Sequence, residues 1–170
     1  MIITTDKSLI KKAKRAVSVL ASEVATDSIS LSARKNLDEL LATRIAAEKA
    51  FREAKITPKD ISIAEVHDCF SIAELLAMED LGFWKKGTAG KHMETMSTMH
   101  GNGSDFIVNS SGGLKAAGHP VGATGIKQIG EVYLQLTEQA GKRQIHKPRY
   151  GLAHNVGGSG GTAVVTILGN

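Results

Sequence analysis

The chain has 170 residues, 42% of them apolar and 22% charged, with a formal net charge of +4. That is enough for one domain with a hydrophobic core, and the composition argues against disorder over most of the length. The mild positive balance is no nucleic-acid footprint, and the lone cysteine, Cys69, excludes an internal disulfide or a zinc site of cysteine pairs. Aromatic residues are scarce, at 4%, so Ile, Leu, Val and Ala must build the core. No apolar run reaches the roughly 20 residues of a membrane span. The opening MIITTDKSLIKK places its apolar run before its charges, unlike a secretory signal, and the closing TILGN is not a peroxisomal tripeptide. A lone thiol suits a reducing compartment, so the cytoplasm is the expectation.

In chain order, residues 8–16 read as a basic helix and 16–24 as a strand. Residues 38–55 have the clearest helical period, with Leu40, Ala47, Ala50, Phe51 and Ala54 on one face. Thr57-Pro58-Lys59-Asp60 makes a turn. Ile61, Ile63 and Val66 mark a short strand. Ser71 and Glu74 then have capping-box spacing, opening a helix that Gly82 closes. Residues 87–104 have no clear period and read as a loop or cover, with His92, His100, Met93, Met96 and Met99. Residues 107–109 form a short strand leading into a glycine-rich stretch. A helix runs from Gly125 to about Gln139 with Ile126, Ile129, Tyr133 and Leu136 inward. Residues 150–155 and 162–168 form a hairpin around GGSGG. Alternating strands and helices ending on a β pair argue one α/β domain with a mixed sheet.

Three stretches hold side chains capable of chemistry. HDCF, residues 67–70, lies at a strand-to-helix turn, where sites gather in α/β folds. Exposed amides at a helix start favour an anion, here a thiolate on Cys69, with His67 and Asp68 as hydrogen-bond partners. The plainer alternative is a small buried hydrophobe. In SSGGLKAAGHPVGATG, residues 110–125, Gly118 and Gly122 permit unusual backbone angles around His119, and Pro120 fixes the turn. The alternative is a turn with an incidental surface histidine. AHNVGGSGG, residues 153–161, is explained by a hairpin turn, with His154 and Asn155 left as possible site lining. A thiol and an imidazole from separate loops suit acyl chemistry. His92 and His100 lack an HxxxH or carboxylate pattern, so no metal is expected.

NSSGGLKAAGHPVGATG, residues 109–125, closely resembles the Gly-His-Pro signature of thiolases. HDCF resembles the second-loop version of sterol-carrier-protein-2-type thiolases and their archaeal relatives, where most thiolases read Asn-Glu-Ala-Phe. HNVGG, residues 154–158, resembles the glycine turn that carries Cys-x-Gly in most of the family. The three stand in the family's order, and the likeness runs from about Ile2 to Gly169. It implies the C-terminal half of a thiolase, a single domain over 1–170, with a mixed sheet of about five strands covered by helices. It implies thiolysis of a 3-oxoacyl-CoA, or the reverse Claisen condensation. CoA and acyl-CoA are then substrates, with no tightly bound cofactor and no metal. By resemblance, His119 activates the nucleophilic cysteine and helps bind the thioester oxygen. Cys69 is the acid/base thiol, replacing the cysteine of the Cys-x-Gly turn, where this chain has Asn155. His67 takes the oxyanion position, and Gly157 offers a backbone N–H to a second oxyanion hole. His154 and Asn155 line the substrate. Lys115 departs from the general signature, which prefers an aliphatic residue, but suits the GGLKA form of this subtype.

The resemblance also exposes a gap. The nucleophilic cysteine of thiolases lies in the N-terminal half, and this chain has no second cysteine. Residues 1–16 resemble the end of that missing half. The expected partner is therefore an N-terminal thiolase half, in the same or a separate chain, with an oligomer in the complete enzyme and neither nucleic acid nor membrane as partner. The chain is then a cut piece, a naturally split subunit or a decayed paralogue, inactive alone. The competing expectations are a non-catalytic binding or scaffold subunit and an acyl-CoA aldolase-like relative.

Overall fold

In a computed structural model, which describes residues 3–94 and 106–170, five strands form one mixed sheet. They are β1 (Ser18–Thr26), β2 (Ile63–Glu65), β3 (Ile107–Val108), β4 (Tyr150–Gly157) and β5 (Thr162–Gly169), in the order β1-β5-β4-β2-β3. The fold is α/β, as expected. The antiparallel β4–β5 hairpin runs from Tyr150↔Gly169 to Gly157↔Thr162, and β1 adds antiparallel to β5. β2 pairs parallel with β4 on one side and β3 on the other.

Alternation along β5 divides the core. Ala163, Val165 and Ile167 belong to the large cluster that includes Ala42, Ala46, Ala50 and Phe51 of α2 (Leu41–Ala54). Leu168 instead joins Val132 and Leu136 of α6 (Thr124–Leu136). Successive side chains on a strand point to opposite faces, so α2 and α6 cover opposite sides of the sheet. The remaining helices are α1 (Lys7–Lys12), α3 (Ser71–Asp80), α4 (Ala89–Glu94) and α5 (Gly113–Ala117). Among the described residues, no helix is long and apolar enough to cross a membrane.

Several local expectations shift. The basic helix shortens to α1, and the first strand begins two residues later, at Ser18. α2 starts at Leu41 and stops where Lys55 turns left-handed, φ 56. The Pro58 turn is a 3-10 turn, closed by the Asp60 carboxylate accepting from Thr57 N and Oγ1 at 2.7 Å each. No capping box opens α3: Phe70 is its N-cap without a side-chain bond, and Glu74 accepts from Asn109 Nδ2 instead. α4 occupies part of the segment expected to be a loop, while Met96, Met99 and His100 lie outside the described residues. α5 forms within the glycine-rich stretch.

α6 departs most from its expected pattern. Ile126 is 64% exposed, while Gln128, Glu131 and Gln135 are buried. These polar groups are paired: Glu131 with Arg143 at 2.8 Å, Gln135 Nε2 with the Arg143 carbonyl at 2.8 Å, and Gln128 Nε2 with the His154 carbonyl at 2.9 Å. Burial without unmet hydrogen bonds lets a polar face pack inward. α6 also lies close on β4, because a Cβ on Gly151 would fall 2.4 Å from Val132 Cγ1 and 3.1 Å from Ile63 Cγ2. Gly151→Ala is therefore expected to overpack this contact and destabilise the fold by about 1–3 kcal/mol. Chemical denaturation measures it, and an unchanged midpoint would contradict this packing.

Candidate active site

The parallel strands β3, β2 and β4 run the same way, so their C-terminal ends share one edge of the sheet. Such edges are where α/β folds bind ligands. Three loops leave there: residues 66–70 after β2, residues 109–112 after β3, and the end of β4 with its turn. Each holds all or part of one of the three stretches singled out in the sequence.

Two of those stretches meet directly. His67, only 4% exposed, packs edge-on against His119, with ring centroids 4.9 Å apart and planes at 80°. Burial, the neighbouring His119 and, in the opposite sense, Asp68 leave His67 below the ordinary imidazole range, so it is neutral at pH 7. His119 is exposed, and its Nδ1 lies 2.7 Å from Thr124 Oγ1. That hydroxyl also donates to the Pro120 carbonyl at 3.2 Å. The carbonyl can only accept, so the hydroxyl hydrogen goes to it and Oγ1 takes the Nδ1–H of His119. In the neutral ring, this assignment from the network leaves Nε2 with its lone pair, the form a general base needs. Thr124, five residues after His119, has no distinctive mark in the sequence.

The glycines around His119 serve different ends. Gly118 (φ 72) adopts a backbone that favours glycine and has open space where a Cβ would stand. Gly122 has no positive φ, contrary to expectation. Gly113 (φ 63) approaches this chain's own Asp68: a Cβ there would lie 2.1 Å from Oδ2.

Cys69 is exposed, which removes the buried-hydrophobe alternative. It follows Asp68, whose Oδ1 accepts from Leu114 N at 2.8 Å. At this edge of the sheet, Phe70, next to Cys69 in the chain, is 73% exposed, and Val121, two residues after His119, is 86% exposed. Beneath it, Glu65 is fully buried and accepts from Ser111 N at 3.1 Å and Ser111 Oγ at 2.5 Å, with Lys127 Nζ 3.7 Å away. Burial pushes the Glu65 carboxyl up, and Ser111 and Lys127 oppose it. Glu65 did not stand out in the sequence, and Asp68 did so only as a hydrogen-bond partner of Cys69, because the partners each carboxylate takes lie 46 positions downstream.

HNVGG divides by burial. His154 is fully buried, beneath the surface rather than on it, with Nε2 2.9 Å from Thr43 Oγ1 of α2. Asn155 is half-buried and donates to Gln128 Oε1 at 3.0 Å. Gly157 is exposed where the hairpin turns. The Nδ1 atoms of His67 and His154 are both buried without a hydrogen-bond partner among the described residues. No group of three or more His, Cys, Asp or Glu among them is arranged to hold a metal ion.

Burial, and then the neighbouring His67, push His154 down to about 3. It stays neutral in the folded chain, whereas an unfolded imidazole titrates near about 6.5. Unfolding therefore takes up a proton at acidic pH. The contribution of His154 to stability is complete above about pH 6.5 and is lost as pH falls from there towards 3. Thermal unfolding across this window is expected to show a falling Tm that His154→Gln flattens, and an identical pH slope in the variant would contradict the assignment.

The family model described as Thiolase C-terminal domain-like matches residues 23–170. An acetyl-CoA acetyltransferase of Methanothermobacter thermautotrophicus is 52% identical over 153 residues, covering 89% of this chain and 39% of that protein. Its counterpart in Methanocaldococcus jannaschii is 48% identical, over 88% of this chain and 39% of that protein. Human sterol carrier protein 2 is 38% identical, over 90% of this chain and 28% of that protein. The chain thus spans less than half the length of these relatives. Among solved structures, the Ltp2-ChsH2(DUF35) aldolase superposes with a TM-score of 0.72 at 18% identity, covering 89% of this chain and 38% of that one, a likeness of fold alone. With its five-stranded mixed sheet and a match across most of its length, the chain belongs to the thiolase C-terminal domain-like family.

Proposed function

We propose that this chain supplies the acid/base half of an acyl-CoA C-acyltransferase site, catalysing thiolysis of a 3-oxoacyl-CoA or the reverse condensation. The observation that carries the reading is the edge contact of His67 on His119, with Nε2 of His119 free as a base and an exposed thiol two residues after His67. The archaeal relatives named acetyl-CoA acetyltransferase support it.

The nucleophilic cysteine belongs to an N-terminal thiolase half, in the same or a separate chain, which covers the exposed Phe70, Ile72, Val121 and Ile126. His119 Nε2 takes the proton of that thiol, and the thiolate attacks the 3-carbonyl of the substrate. The C2–C3 bond breaks, the acyl group stays on the nucleophile, and the Cys69 thiol protonates the C2 carbanion of the departing acyl-CoA. The Cys69 thiolate then takes the proton of incoming CoA, whose sulfur attacks the acyl-enzyme and releases the shortened acyl-CoA, while the nucleophile leaves as a thiolate and takes back its proton from His119. Neutral His67 donates a hydrogen bond to the thioester oxygen of the enolate, as does His119 once protonated. The backbone N–H of Gly157 serves the oxyanion of the acyl-transfer step. Asn155, held by Gln128, lines the pocket, and His154 supports it from below.

The fold neighbour named an aldolase favours a second reading, acyl-CoA retro-aldol cleavage. The exposed Cys69 weighs against it, since that cleavage needs no acid/base thiol. Combined with an N-terminal half bearing the nucleophile, the chain is expected to cleave acetoacetyl-CoA in the presence of CoA, with His119→Ala lowering kcat at least ~100-fold. A wild-type rate in that variant, or cleavage of a 3-hydroxyacyl-CoA to an aldehyde or ketone instead, would sink the proposal.

A further inference from the structure

The loops after β2 and β3 are joined well beyond the strands themselves. Backbone pairing covers only Ile63↔Ile107 and Ala64↔Val108, with Asn109 N donating to the Ala64 carbonyl at 2.8 Å as the last rung. It stops there because Asn109 (φ 48), Gly112 (φ 84) and Gly113 (φ 63) leave the extended region. Side chains carry the pairing onward. Asn109 Oδ1 accepts from Val66 N at 2.8 Å, Glu65 accepts from Ser111 N at 3.1 Å, and Asp68 Oδ1 accepts from Leu114 N at 2.8 Å.

Asp68 is the outermost of these ties and stands between His67 and Cys69 in the chain. The segment it holds continues through α5 to His119. Its fit is tight, because Gly113 has no room for a side chain against the carboxylate. Asn109 also donates to Glu74 of α3, so the inner ties persist without Asp68. Loss of Asp68 therefore removes the constraint nearest the reacting groups while Glu65 and Asn109 keep the sheet edge together.

We propose that Asp68 is a positioning residue, whose carboxylate clamps the Cys69 loop to α5 and the turn that follows it, and thereby sets the edge contact between His67 and His119. This rests on the reading of Cys69 and His119 as reacting groups, so one arm of the test is independent of activity. Asp68→Asn keeps an oxygen that accepts from Leu114 N, whereas Asp68→Ala has none. Gly113→Ala keeps Asp68 but drives a methyl group into its carboxylate.

The first arm is NMR of the 170-residue chain, measuring cross-relaxation between the His67 and His119 ring protons. The contact is expected to persist in Asp68→Asn and to be lost in both Asp68→Ala and Gly113→Ala. The second arm is steady-state kinetics of the chain combined with its nucleophile-bearing half. Asp68→Ala is expected to lower kcat at least ~10-fold with KM within about twofold, and Asp68→Asn to restore most of kcat, as expected for misplaced reacting groups. Ring contacts that survive in Asp68→Ala and Gly113→Ala overturn the clamp even if the combined enzyme shows no thiolysis. Lost ring contacts with an unchanged kcat, or an Asp68→Asn as impaired as Asp68→Ala, overturn the positioning role. Should Asp68→Ala fail to fold, Gly113→Ala and Asp68→Asn carry both arms.

Discussion

Glu65 is the group on which this arrangement depends. It is a carboxylate with no exposure, at the end of the central parallel strand. A buried carboxylate is expensive unless its oxygens are satisfied and a cation stands near. Ser111 supplies two donors, and Lys127 of α6 supplies the charge. The Lys127 ammonium is itself held by Ser111 Oγ at 2.6 Å and the Gly113 carbonyl at 3.1 Å. Satisfying one carboxylate thus fixes the glycine-rich loop above β2 and the first turns of α6 together. Ser110 extends the network to Glu131, where burial alone would raise the carboxyl but Arg143 and its other hydrogen-bond partners hold it below its ordinary range. The polar inner face of α6 follows from this network.

That face also marks the boundary of what local sequence patterns can tell. The hairpin was legible because two short strand-like runs, residues 150–155 and 162–168, flank the glycine turn GGSGG, and that arrangement is local in the chain. α2 was legible because its buried face is almost wholly apolar. α6 was misread because Gln128, Glu131 and Gln135 look like a solvated face until their partners are known. Those partners lie as far away as the His154 carbonyl, 26 positions on. The absent capping box at Ser71 has a similar cause, since Asn109, 35 positions on, takes Glu74. The short α5 was hidden because glycine carries little helical signal.

The site was legible in part. His67, Cys69 and His119 stood out as residue types in unusual settings and through their likeness to a thiolase signature. The contact between His67 and His119 was not legible, because they stand 52 positions apart and only parallel pairing of β2 with β3 brings their loops together. Thr124, which orients the imidazole, looks like any helix-start threonine. His154 lies deeper than its place in a glycine turn suggests, because β4 runs beneath the surface before the hairpin turns.

Three features carry the proposed function: an imidazole whose Nδ1 is held by Thr124, a second, neutral imidazole beside it and an exposed thiol. The central claim is that His119 and Cys69 perform separate proton transfers for a nucleophile held elsewhere. The most direct measurement follows both transfers at once, in the chain combined with its nucleophile-bearing half. Acylation of the nucleophile by p-nitrophenyl acetate, whose leaving group needs no proton, reports the first when located by peptide mapping, and deuterium exchange from solvent into the methyl group of acetyl-CoA reports the second. The account predicts that Cys69→Ala still forms the acyl-enzyme but loses the exchange, while His119→Ala loses both. Exchange at the wild-type rate in Cys69→Ala would contradict it.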